Sequence, residues 1–172
     1  MMKKDIKKIA LSAVFSALIV VLILIGTFIE LLDITVAAVC ALAIHIVLIE
    51  TKSKYPFLVY LTSSALSLIL TPLSTATLYF VGFFGYYPIL KQKLKNHKKI
   101  IRKLICALIF NAVMILLMLL FKAVFALQNE PPMMYILLLI TSNVFFFCFD
   151  YLLDVFTFIY FKKLRDKIKF IK

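Results

Sequence analysis

The chain has 172 residues, of which 65% are hydrophobic and 15% aromatic, and its formal net charge at pH 7 is +12. A soluble domain is about 45–50% apolar, and a fold of this length has too little interior to bury the excess. The composition therefore excludes an ordinary soluble domain, a disordered chain and a secreted disulfide scaffold, and it predicts an integral membrane protein.

Six apolar segments follow one another along the chain, separated by short polar or basic stretches. The first comes after a basic arm at residues 1–8 and runs for about 21 residues, too long for the ~7–15-residue apolar core of a cleaved signal peptide. A helix needs about 20 residues to cross a membrane, so the second to fourth segments, at about 15–17 residues, predict a tilted or irregular helix among them. We predict one all-α domain over residues 1–172, an integral membrane bundle of six transmembrane helices at about 9–29, 34–49, 55–70, 76–90, 104–127 and 133–161.

The basic residues predict the orientation of the bundle. All but one of the 20 lysines and arginines lie in the arm, at 51–54, at 91–103 or in the tail from Lys162. Six spans bring these four segments to one side, and cytoplasmic loops are selectively basic. We therefore expect both termini in the cytoplasm, with the remaining Lys122 near the outer face. Topology also accounts for the net charge, so no nucleic-acid partner is expected.

A strip of small side chains lies at the start of the first predicted span. Ser12 and Ser16, and likewise Ala13 and Ala17, are spaced by four residues and share one side of a helix. In lipid, such a strip lets a second helix approach closely, so that dispersion supplies the attraction. The strip predicts either packing within this chain or docking of a partner subunit.

Polar residues inside the predicted spans form a second constellation. Asp150 and Asp154 share one helix face, and a charge at that depth costs about 2.5–3.5 kcal/mol even on the lenient scale. Asn111 lies at a similar depth to Asp154, which predicts a hydrogen bond between them and an interhelical polar clamp. A proton- or metal-linked role is the alternative, but two acids without a nearby histidine are a poor metal motif, so no metal or cofactor is expected. We interpret His45 as a hydrogen-bonded packing residue.

Polar and aromatic residues also gather at the opposite, outer ends of several predicted spans. An outward-facing pocket for a small solute requires such convergence; the alternative is that these residues belong to solvated loops. The sequence lacks HExxH, GxSxG and Walker motifs, so we do not expect an enzyme. The candidate substrate-binding residues are Glu30, Asp33, Thr75, Tyr79, Lys122, Asn129, Tyr135 and Asn143.

The basic arm and the stretch from Lys8 to Leu18 (KIALSAVFSAL), together with six spans and about 170 residues, resemble the substrate-binding S component of energy-coupling factor (ECF) transporters. The resemblance implies that Ala13 and Ala17 dock against a transmembrane T component, which two cytoplasmic ATPases drive. It also implies a bacterial cell membrane, with a vitamin or metal ion bound in an outward pocket. The chain has no N-terminal Met-His hook, so a vitamin-like solute is expected.

Two further resemblances keep other functions open. Tyr55-Pro56 and residues 84–89 (FGYYPI) are similar to a clostridial-type, S-component-like family of bacterial membrane proteins. MreD-type rod-shape-determining proteins have a similar size and number of spans, which implies a membrane scaffold without a transported substrate. A third alternative is a proton-linked carrier that uses Asp150 and Asp154. A cavity at the outer ends of the helices favours the solute-binding protein, and a solid outer half favours the scaffold.

Overall fold

The computed structural model describes residues 2–29, 32–51, 54–72, 74–96, 98–124 and 132–164. All secondary structure in these ranges is helical, so the predicted all-α class is confirmed. Two candidate site residues, Glu30 and Asn129, lie outside the described residues.

The described ranges contain seven α-helices: α1 (Met2–Phe28), α2 (Asp33–Thr51), α3 (Tyr55–Leu70), α4 (Thr75–Tyr79), α5 (Tyr87–Lys93), α6 (Lys99–Val124) and α7 (Pro132–Ile159). Four of them, α1, α2, α6 and α7, are long and apolar enough to cross a membrane, judged over the described residues. This architecture fits a membrane protein. The shorter α3 is also apolar, but its 16 residues extend only about 24 Å, less than the ~30 Å of a hydrocarbon core.

The segment predicted as a fourth span is helical but interrupted. A π-helical stretch, Phe80–Phe84, separates α4 from α5, and the Gly85 N–H donates to the Phe80 carbonyl five residues earlier at 2.8 Å. Pro88 lies in the first turn of α5 and has no N–H to continue the hydrogen bonding of the preceding turn. The interruption therefore has a local cause in the sequence, and the irregular helix expected among the short spans is α4–α5.

Contacts between helix ends define the two ends of the bundle. Where α1 ends and α2 and α4 begin, the hydroxyls of Thr27 and Ser74 lie 3.1 Å apart; we call this the turn end. The opposite, terminal end is where α1 begins and α7 ends, and there the Lys8 ammonium lies 5.9 Å from the centre of the Tyr55 ring. The Lys122 ammonium of α6 lies 6.0 Å from the Tyr135 ring of α7, and both residues belong to the turn end.

An aromatic cluster fills the bundle between these two ends. The Phe83 ring lies 4.8 Å, centre to centre, from the rings of Tyr87 and Phe110, and Phe110 stacks on Phe146 at 4.9 Å. These four rings are nearly completely buried. These rings join the interrupted segment, which consists of α4, the π-helical stretch and α5, to α6 and α7. Along each helix, they lie between the residues of the turn end and those of the terminal end.

Candidate functional site

A cavity of about 400 Å³ opens at the turn end between α2, α4, α6 and α7. Its walls are mainly apolar, with Met114, Leu117, Met118, Phe121, Leu138 and Phe145 among them. The polar and aromatic side chains that line it are Thr75, Tyr79, Lys122, Tyr135, Thr141 and Ser142. We call this space the rim cavity. Half of the eight candidate substrate-binding residues line it: Thr75, Tyr79, Lys122 and Tyr135.

Asp33 does not line the rim cavity but contacts Thr75, one of the residues that do. Its side chain is buried at the start of α2, and the Thr75 hydroxyl donates a hydrogen bond to its carboxylate. This bond ties the first turn of α4 to the first turn of α2. The predicted residue therefore holds a cavity-lining threonine in position instead of lining the cavity itself.

Asn143 has a different place from the one predicted for it. The side-chain amides of Asn111 and Asn143 bond to each other in both directions, at 2.9 Å and 2.8 Å, across α6 and α7. The expected hydrogen bond between Asn111 and Asp154 is therefore wrong. The cause is helix register: α6 begins at Lys99 instead of 104, so that Asn111 lies about 18 Å from its start and reaches the middle of α7.

Asp150 and Asp154 share a cation from the interrupted segment. The Lys91 ammonium lies 2.6 Å from Asp150 Oδ1 and 2.8 Å from Asp154 Oδ1, and it also donates to the Asp150 backbone carbonyl at 2.8 Å. The Tyr87 hydroxyl donates to Asp150 Oδ1 at 2.6 Å. The predicted clamp of Asn111 with these acids is therefore not formed; Lys91 and Tyr87 join the acids to α5 instead.

Sequence reasoning missed Lys91 because this residue is the first of the basic stretch 91–103, which is typical of a cytoplasmic loop. Two signals could have found it: Lys91 directly follows an apolar segment, and two acids on one face of a predicted span require a nearby cation. Lys91 and Asp150 are both buried, whereas the Asp154 side chain is 55% exposed.

A second cavity, of about 360 Å³, lies beside this ion pair at the terminal end. Its charged lining consists of Lys91, Lys95, Arg102 and Asp154, and we call it the basic cavity. His45 also lines it and shares a hydrogen bond of 2.7 Å with Thr157, so the interpretation of this histidine as hydrogen-bonded is confirmed.

The strip of small residues on α1 is divided between two environments. Ser12 is buried and donates to the Lys8 carbonyl at 2.8 Å, and Ser16 contacts the Thr62 hydroxyl of α3 at 3.0 Å. Ala13 and Ala17 are exposed. The serines thus pack within the chain, and the two alanines form an exposed patch of small side chains on α1.

Among the described residues, no group of three or more His, Cys, Asp or Glu side chains is arranged to hold a metal ion. The helical architecture and its long apolar helices fit a membrane protein. Comparison with protein-family models, curated proteins and solved structures gave no match. The site geometry is therefore the basis for a functional proposal.

Proposed function

We propose that this chain is the solute-binding membrane subunit of an ATP-driven importer of the ECF type. The rim cavity is the observation that carries the proposal. Four of the eight candidate residues converge on it, and its volume of about 400 Å³ is within the range of small-molecule sites, about 300–1,000 Å³. A cavity at this end favours a solute-binding protein over a scaffold with a solid outer half. The ion pair with Lys91 gives Asp150 and Asp154 a structural role, so they lend a proton-linked carrier no separate support.

The lining of the rim cavity supports a particular class of solute. Methionine, leucine and phenylalanine side chains offer an apolar surface, and Met side chains adapt to irregular shapes. Lys122 contributes a cation beside the Tyr135 ring, and Thr75 and Ser142 contribute hydroxyl groups. An amphipathic, vitamin-like molecule with an apolar body and an anionic or hydrogen-bonding end matches this arrangement.

The proposed orientation directs the rim cavity to the outside of the cell. Six crossings of a bacterial membrane put the four basic segments, and therefore the terminal end, in the cytoplasm. The turn end then faces outward, with Lys122 as its cation. In this orientation a solute reaches the rim cavity from outside, as an importer requires.

Energy for import would come from partner proteins, because the sequence has no Walker motif and contains only three glycines. The exposed Ala13 and Ala17 support docking of a T component, since small side chains permit close approach of a second helix in lipid. The chain itself would act by binding, not by catalysis.

The proposal is tested by identifying small molecules that co-purify with the protein in mild detergent, using mass spectrometry after denaturation. Ser142→Phe places a ring in the rim cavity, and Val144→Phe makes a matched change at an exposed position of the same helix. We expect one compound to accompany the wild type and Val144→Phe, and to be reduced at least tenfold in Ser142→Phe.

Lys122→Gln provides a second variant that keeps the shape of the rim cavity while removing its cation, and it should also weaken retention of an anionic compound. Size-exclusion profiles check that all variants are folded. The proposal fails if no compound accompanies the wild type, or if Ser142→Phe and Val144→Phe retain it equally.

A further inference from the structure

The basic cavity is separate from the proposed solute site. It lies at the terminal end between α2, α5, α6 and α7, and the aromatic cluster separates it from the rim cavity along the helices. Three of its four charged lining residues are basic: Lys91, Lys95 and Arg102. The proposed function gives this space no role.

Two of these cations remain for a ligand. Lys91 is held by the carboxylates of Asp150 and Asp154, which neutralise it. Lys95 and Arg102 form no ion pair with any acid in the described ranges. They come from different elements, a 3₁₀ turn at Leu94–Asn96 and α6, yet both line the same cavity. A guanidinium presents a planar fork of donors that matches a phosphate group.

We infer that the basic cavity binds an anionic phosphate group, which Lys95 and Arg102 contact. Leu48, Ile49 and Phe161 give the cavity an apolar side as well. Basic pockets between membrane helices bind anionic lipid headgroups, so a glycerol-bearing anionic phospholipid and a soluble glycerophosphate share the required chemistry.

The test is native mass spectrometry of the full chain in neutral detergent, titrated separately with phosphatidylglycerol, phosphatidylcholine and glycerol 3-phosphate. Lys95→Gln with Arg102→Gln removes the two cations from the basic cavity. Lys98→Gln with Lys99→Gln is the matched control, because it removes the same charge from exposed residues outside the cavity lining.

We expect phosphatidylglycerol or glycerol 3-phosphate to bind, and the cavity variant to bind about tenfold more weakly than the wild type and the control. Binding of phosphatidylglycerol alone supports a lipid source, and binding of glycerol 3-phosphate supports a soluble one. Equal weakening in the two double variants, binding of phosphatidylcholine as tight as that of phosphatidylglycerol, or no binding would overturn the inference. Retention of the rim-cavity compound is measured in parallel and is expected to be unchanged.

Discussion

Lys91 and Asp150, on α5 and α7, form a buried ion pair with 2.6 Å between the ammonium nitrogen and Oδ1. Asp150 also accepts from the Tyr87 hydroxyl, and its backbone carbonyl accepts from Lys91. A single lysine thereby joins the interrupted segment to the longest helix. Because both charges are buried, the pair is more sensitive to loss of one partner than an exposed pair would be.

Lys91→Met should destabilise the protein by about 3–5 kcal/mol, because it leaves the buried Asp150 carboxylate without its cation. The measurement is thermal unfolding in detergent. Lys93→Met, at an exposed position of the same helix, is the matched control and should change the midpoint little. Adding Asp150→Asn to Lys91→Met should recover part of the loss. Equal midpoints for the two lysine variants would contradict this account of the pair.

The reciprocal amide pair predicts energetic coupling between α6 and α7. Asn111→Leu and Asn143→Leu should each cost about 1 kcal/mol, since each leaves a partner amide with unmade hydrogen bonds in an apolar setting. The double variant should cost less than the sum of the single variants. Unfolding of all four proteins in detergent gives this coupling directly, and strict additivity would mean that the two amides act independently.

Gly85 should be the glycine least tolerant of a side chain in the interrupted segment. A Cβ there would lie 2.5 Å from Tyr60 Cδ2 and 2.9 Å from the Phe80 carbonyl oxygen. The Tyr60 hydroxyl donates to the Val81 carbonyl at 2.9 Å, which limits movement of the ring. Gly85→Ala should therefore cost about 1–3 kcal/mol through overpacking.

Gly82→Ala is the natural comparison for this substitution. Its Cβ would meet Val113 Cγ1 at 3.2 Å, a contact that a small side-chain shift relieves. Thermal midpoints of the two variants should place Gly85→Ala well below Gly82→Ala. If Gly85→Ala is the more stable of the two variants, the close contact between Tyr60 of α3 and Gly85 does not limit the size of the side chain at position 85.

The docking role proposed for α1 is tested at its exposed alanines, Ala13 and Ala17. Ala13→Leu and Ala17→Leu should reduce the amount of membrane and ATPase subunits that co-purify, because added bulk prevents close helix approach. Ala112→Leu, the same change at an exposed position of α6, should leave co-purification unchanged. Quantitative mass spectrometry of the purified assemblies measures the difference. Equal recovery from all three variants would remove the docking role from α1.

Hydropathy predicted the helical class and the approximate positions of the long helices, because apolar runs of spanning length leave few alternatives to a helix in lipid. Within the fourth predicted span, Pro88 marks a local break. The π-helical stretch was not predictable, since it depends on how closely Gly85 approaches Tyr60 of α3. Local sequence indicates where a helix can break, and tertiary packing decides the form of the break.

The sequence predicted the site residues that lie near helix ends. It did not predict the contacts between residues in the middle of two helices, because those contacts depend on how the helices are aligned with each other. Thr75 and Lys122 converge on the rim cavity because each lies near an end of a helix at the turn end. The pairing of Asn111 with Asn143 was not predictable, because α6 begins at Lys99, five residues before the predicted start, and this changes the depth of Asn111 in the bundle. Lys91 was overlooked because a lysine next to a basic loop resembles a loop residue, although its ammonium lies inside the bundle.

The proposed import function requires that the rim cavity faces the outside of the cell. Pro72→Cys places a thiol at the turn end, and Lys95→Cys places one at the terminal end, both at exposed positions. The parent chain, with Cys40 and Cys106 buried and Cys148 exposed, serves as the background control. A membrane-impermeant maleimide should label Pro72→Cys in intact cells, and Lys95→Cys only after permeabilisation. Labelling of Lys95→Cys in intact cells would contradict the orientation and the import function proposed from it.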